Sequence, residues 1–184
     1  MKNLKNNFLI LLLVYTLTPV DDCCAQKIEI RSNELDRMIW NKINDRLIAL
    51  GKEKIKHFKE GPVRDFAYRT CARLVPENAT FAHSSNDSIS WFSGGECIYS
   101  CTKRSTGENE FIDYLLSNNL DPIAQLVVDG WGGSESHREA ISKDWYSSTT
   151  VATIIQIDEQ RGYFKICSAW YELDYLIFGN LGGY

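Results

Sequence analysis

The residues of this chain with the most versatile chemistry are its three histidines, His57, His83 and His137. A neutral imidazole binds transition metals and accepts protons near pH 7, so each histidine is a candidate for metal binding or acid–base chemistry. His57 lies in a polar segment with three nearby lysines, and such charge-rich segments usually face water. We therefore expect a role for His83 and His137 and none for His57.

His83 and His137 lie in polar sequences that suit a binding site. His83 belongs to a Phe-Ala-His-Ser-Ser sequence that is expected to be a loop. The sequence Ser-His-Arg-Glu that begins at Ser136 has the form of a capping box, which predicts a short helix starting there. The positive end of that helix dipole disfavours the imidazolium form, so we expect His137 to be neutral. The candidate carboxylate is Glu96, because the two glycines before it allow close backbone approach.

Apolar periodicity predicts the helices that would position these residues. Hydrophobic residues recur at intervals of three and four, as on one face of an amphipathic helix. Helices are expected over residues 33–50, 62–74 and 121–132, and a short fourth one from Ser136.

The last third of the chain changes to an alternating pattern. Apolar residues at every second position predict two strands, Thr149–Asp158 and Tyr163–Leu173, joined as a β-hairpin. Residues 52–61 and 79–110 are expected to be mostly loop, apart from a short extended piece over Glu96–Ser100. Several helices followed by a hairpin predict an α+β fold in which helices cover a small sheet.

The composition is that of a globular protein with a core of ordinary size. The 184 residues are 44% hydrophobic and carry a formal net charge of −4. An acidic balance without a long basic run argues against nucleic acid as a partner.

Residues 1–25 are expected to form an export signal. Two lysines precede an apolar stretch, Phe8–Val14, that is too short to span a membrane, and small residues permit cleavage at the end of the segment. The mature chain would be a single domain over residues 26–184, secreted or periplasmic, with no transmembrane span. Lipid anchoring at Cys23 or Cys24 is the alternative, although two acidic residues precede them where a lipidation signal has small apolar ones.

Export would place the remaining cysteines in an oxidising compartment. Cys71, Cys97, Cys101 and Cys167 would then form up to two disulfide bonds, whose connectivity the sequence leaves open. The alternative is a structural zinc site that uses Cys97 and Cys101.

The order of several short motifs resembles that of the CAP superfamily, also called SCP or pathogenesis-related-1-like domains. The motifs are Ile43-Asn-Asp-Arg46, Ala82-His-Ser84, Gly95-Glu-x-Ile98 and Trp131-Gly-Gly-Ser-Glu-Ser-His-Arg138, followed by the hairpin. The last motif is the most specific, since Trp-x-x-Ser-x-x-His-Arg is typical of the short secreted bacterial branch. The resemblance covers about residues 33–173.

This resemblance implies a three-layer α-β-α sandwich with a small antiparallel sheet and a central cleft. By position, the residues of the ligand cleft would be His83, Glu96, Ser134 and His137, with Ser134 in place of a second acidic residue. In some members the cleft binds a divalent metal, so His83 and His137 are candidate ligands for a metal such as zinc. Glu108, in a second Gly-Glu-Asn sequence, is the alternative to Glu96.

The resemblance leaves three roles open for the cleft. The first is a binding or interaction module for a lipid, a small molecule or an extracellular protein such as a host factor. The second is a divalent-metal-dependent hydrolase or protease using His83, His137 and Glu96, in which the metal would activate water. The third is a polar network that only orients the cleft loops. Arg46 and Arg138 are expected at the surface or in ion pairs.

Overall fold

A computed structural model of the protein describes residues 27–85, 93–104, 109–142, 146–158 and 161–174. The expected export signal and Glu108 lie outside these residues. The helices are α1 (Asn33–Ala49), α2 (Pro62–Leu74), α3 (Glu110–Leu116), α4 (Asp121–Gly132) and α5 (Glu135–Ile141). The strands are β1 (Ile28–Arg31), β2 (Lys56–His57), β3 (Ser93–Arg104), β4 (Tyr146–Asp158) and β5 (Tyr163–Asp174).

One sheet is built around the predicted hairpin of β4 and β5. Its strand order is β1-β4-β5-β3, and all three of these pairings are antiparallel. The short strand β2 pairs with β4 in parallel, at Ser148 and Thr149. The long hairpin therefore provides the pairing surface for every other described strand.

The two faces of the sheet carry separate hydrophobic cores. Alternate hairpin residues, among them Val151, Ile155 and Trp170, pack with α1, α3 and α4 on one face. The residues between them, among them Ile154 and Tyr171, pack with α2 on the other face. The chain therefore has the α+β fold predicted from the sequence, with helices on both sides of a small and mainly antiparallel sheet.

The long predicted helices are confirmed, and short elements account for the differences. α1 begins where Ser32 accepts a hydrogen bond from the Leu35 amide at 3.2 Å, and α2 begins at Pro62. The short fourth helix begins at Glu135 instead of Ser136, with Ser134 as the N-cap residue. His137 nevertheless stays in the first turn.

The segments expected to be loop contain more regular structure than the pattern predicts. β2 lies within residues 52–61, and β3 extends well beyond the expected piece Glu96–Ser100 in both directions. α3 and β1 were not predicted. Each of these elements is short or poor in apolar residues, so it has little periodicity of its own and forms against its neighbours.

The expected disulfides are not formed among the described residues. Cys71, Cys97, Cys101 and Cys167 are all thiols, and three of them are buried. Cys97 and Cys101 are four residues apart on one strand, about 13 Å, which neither a disulfide nor a shared zinc ion can bridge. Cys71 and Cys167 pack in the core under α2, where the Cys71 thiol donates to the Ala152 carbonyl at 3.3 Å.

Within the described residues, no helix has both the length and the apolar character needed to cross a lipid bilayer.

A buried ion pair joins the helices on the two sides of the sheet. Asp36 of α1 has no exposed surface, and its Oδ2 accepts hydrogen bonds from Arg64 Nη2 at 2.8 Å and from the Tyr68 hydroxyl at 2.7 Å. Arg64 Nη2 also donates to Asn33 Oδ1 at 2.7 Å. Burial raises the pKa of Asp36 to about 6, although both partners favour the ionised form. The carboxylate therefore depends on Arg64 and Tyr68 to remain charged in the core.

Replacing Asp36 by alanine should destabilise the protein strongly, because Arg64 would then be a buried charge without its counterion. We expect Asp36→Ala to lower the free energy of unfolding by about 3 kcal/mol at pH 7, measured by urea denaturation. Asp45→Ala, at an exposed position of the same helix, should change it by less than about 0.5 kcal/mol. Equal losses in the two variants would contradict the assigned role of the ion pair.

Candidate functional site

The structure brings His83 and Glu96 into direct contact. His83 Nδ1 lies 2.7 Å from Glu96 Oε2. Because a carboxylate only accepts hydrogen bonds, Nδ1 is the donor and Nε2 of the neutral ring is left with its lone pair. The His83 side chain is 54% exposed and that of Glu96 only 3%. The buried carboxylate thus holds the imidazole at Nδ1, while much of the ring is exposed to solvent.

Glu96 is fixed in turn by groups from the loop and the sheet. The Ser84 amide donates to Glu96 Oε2 at 3.0 Å, and the Tyr171 hydroxyl donates to Oε1. Thr70 Oγ1 of α2 lies 2.8 Å from the same hydroxyl, and Ser84 Oγ lies 3.2 Å from it. One carboxylate therefore links β3, β5, α2 and the His83 loop.

These hydrogen bonds determine the charge of Glu96. Burial alone would raise the pKa of this carboxyl, but hydrogen bonds from Ser84, Tyr171 and His83 outweigh burial and hold its pKa below the usual value. The pKa of Tyr171 is raised, first by burial and then by its hydrogen bond to Glu96. Glu96 is therefore ionised at neutral pH and Tyr171 keeps its proton.

His137 lies close enough to His83 for the two imidazoles to influence one another. Burial lowers the pKa of His137, and the positive charge that His83 can carry lowers it further. His137 Nδ1 is buried and has no hydrogen-bond partner among the described residues. Its neutral form at pH 7 agrees with the expectation, and the causes in the structure are burial and then the charge of His83.

Ser134 lies at the turn that leads into α5. Its hydroxyl is 3.0 Å from Ser136 Oγ and makes no capping bond to the helix. Trp131, at the start of the same motif, is buried in the core and meets the Trp170 ring edge-on with ring centroids 6.3 Å apart. Among the candidate residues, His83 and Glu96 bond each other directly. The Ser134 hydroxyl instead contacts Ser136.

The expectation that His57 is a solvated loop residue is wrong. His57 belongs to β2, where its ring stacks on Trp40 of α1 with centroids 5.3 Å apart, and both ring nitrogens are buried without a hydrogen-bond partner in the described part of the chain. Burial lowers the pKa of His57 to about 4, assisted by the positive charges of Arg64 and Lys59. Its role in this structure is packing.

Two polar residues of β5 were missed by the sequence analysis. Tyr171 completes the Glu96 network, and Glu172 is fully buried on the opposite face of the same strand. A Cβ atom on Gly95 would lie 2.6 Å from Glu172 Oε2, which explains the glycine before Glu96. The alternating pattern of the strand separates the two side chains, but it does not reveal their roles.

Comparison with protein-family models gives no match, and comparison with curated proteins gives no significant match either.

The pKa of Glu96 makes a prediction about acid stability. A carboxyl whose pKa is lower in the folded state stabilises the fold above its ordinary value of 4.5, and this contribution is lost as the pH falls through the folded value. Glu96→Gln should lower the free energy of unfolding by about 2 kcal/mol at pH 7 and by less at each step into acid. Urea denaturation over a pH series measures both effects.

Glu29→Gln is the matched control, because Glu29 is an exposed residue on β1. It should follow the wild-type pH profile. If Glu96→Gln were as stable as the wild type at pH 7, or if the difference between them stayed constant from pH 7 into acid, the carboxylate would not be the stabilising ion assigned here.

Proposed function

We propose that the protein is an exported binding module of the CAP type, whose cleft presents the imidazoles of His83 and His137 to a ligand. The observation that carries the proposal is the Glu96–His83 pair. The carboxylate fixes the ring so that Nε2 points away from it with its lone pair, which suits coordination of a metal ion or acceptance of a hydrogen bond from a ligand.

The donor set fits a divalent metal such as zinc. Neutral imidazole is a common zinc ligand, and a carboxylate bonded to the far nitrogen is the usual support for such a ligand. Within the described residues, no group of three or more His, Cys, Asp or Glu side chains is arranged for a metal ion. His83 and His137 would therefore hold the metal as two protein ligands, and its other positions would be left to water or to a bound ligand.

Binding is favoured over hydrolysis by the state of Glu96. A zinc hydrolase generally uses three protein ligands and a base that can take a proton from water. Here both Glu96 oxygens accept hydrogen bonds from the protein, and its lowered pKa makes the carboxylate a weak base. The residue thus serves better to orient His83 than to move protons.

The partner class follows from the form of the site. His83 is exposed beside Phe81, whose ring is 52% exposed and meets the imidazole edge-on at 5.8 Å. An apolar ring next to polar nitrogens suits a lipid or small molecule with both kinds of surface, and an extracellular protein could present the same chemistry. We propose that such a ligand binds after export of the mature domain.

The test measures zinc binding and co-purifying ligands in protein prepared without a histidine tag. We expect His83→Ala and His137→Ala each to weaken zinc binding at least about 10-fold by calorimetry, because each removes a ligand. We also expect mass spectrometry of an organic extract to find a small molecule in the wild type that the double variant lacks.

His57→Phe is the control, because it keeps an aromatic ring against Trp40. It should bind zinc as the wild type does. Equal zinc affinity in all variants, together with no co-purifying molecule, would overturn the binding-module proposal.

A further inference from the structure

The two cleft histidines are held in different ways. His83 has a direct support, since its Nδ1 bonds Glu96. His137 Nδ1 is buried but bonds no group among the described residues. The position of the His137 ring must therefore come from the placement of its backbone, which belongs to α5.

α5 has little in its own sequence to fix it. It is only seven residues long, none of its residues is fully buried, and Ser134 makes no side-chain capping bond at its start. Ala140 and Ile141 reach the edge of the core only in part. A short helix of this kind needs a contact from outside its own backbone to take up one orientation.

α5 packs against α4 and β3, and Arg138 adds a specific polar contact to α4. Its Nη1 donates to the carbonyl oxygen of Gly132 at 2.6 Å, while its backbone amide donates to the Ser134 carbonyl at 3.0 Å. Gly132 is the last residue of α4, where carbonyl groups lack partners within the helix. A guanidinium is well suited to this end of a helix, because its positive charge interacts favourably with the negative end of the helix dipole.

α4 is itself anchored from the other side. Arg46 of α1 donates through Nη1 to the Val128 carbonyl at 3.0 Å and pairs with Asp129. α4 also packs in the core through Trp131. The C-terminal end of α4 is thus held by contacts with α1 and the core, and Arg138 hydrogen-bonds the first turns of α5 to it.

We infer that Arg138 is the positioning residue for His137, because its bond to Gly132 sets where α5 presents that imidazole in the cleft. The inference rests on the proposed function of His137 as a cleft ligand. Arg138 is exposed, as expected, and it also donates a hydrogen bond to the end of α4.

The test compares Arg138→Ala, Arg138→Lys and Arg37→Ala in the full-length mature protein. Arg37 is an exposed arginine on α1, 3.6 Å from Glu34, and is the matched control. We expect Arg138→Ala to weaken zinc binding about 10-fold. Arg138→Lys should recover part of this loss, because an ammonium can still donate to Gly132, and Arg37→Ala should leave zinc binding unchanged.

A second measurement does not depend on zinc. In metal-free protein at pH 8, NMR should show the His137 ring resonances shifted by Arg138→Ala while those of His83 stay in place. If the wild type binds no zinc but this selective shift occurs, the binding proposal fails and the positioning role stands. Unchanged His137 resonances, or equal shifts of the His137 and His83 rings, would overturn the positioning role. If Arg138→Ala does not fold, the same measurement is made on Arg138→Lys.

Discussion

The layers and the candidate site both depend on the register of the β4–β5 hairpin. Successive residues of a strand point to opposite faces, so Trp170 enters the core under α1 and α4 while Tyr171 enters the core under α2. On the other edge of β5, the pairing with β3 places Tyr171 opposite Glu96. A shift by one residue would exchange the two faces and remove the Tyr171 hydroxyl from Glu96. The site therefore exists only in the register that also fills both cores.

Sequence patterns were sufficient to predict the helices and strands that have a long apolar face. α1, α2 and the hairpin each repeat their apolar positions over several turns or residue pairs, and the α+β fold follows from their order. β3 could not be predicted at its full length, because eight of its twelve residues are glycine, serine, threonine or charged residues. It is extended since it pairs with β5 along its whole length. The seven residues of α3 are likewise too few to establish a period.

The site was predictable only where a motif carried it. His83 and Glu96 were identified by the order of short motifs, and they do meet. Tyr171 is one aromatic residue on a strand with several, and only its pairing with Glu96 gives it a role. For His57 the prediction was wrong. The nearby lysines suggested a solvated loop, whereas Trp40, distant in sequence, covers the ring. Contacts between residues far apart in the chain decide both cases.

The Glu96 network has a consequence for the energetics of binding. The Ser84 amide and the Tyr171 hydroxyl both donate to the carboxylate, so the groups that fix Glu96 belong to the protein itself. The free energy needed to order the His83 loop is thus provided during folding, and a ligand that reaches His83 meets a ring already oriented. His137 depends instead on α5, which has no fully buried residue. In the proposed cleft, one imidazole would be held by a carboxylate and the other by the placement of a short helix, so we expect differences between ligands to be accommodated by movement of His137.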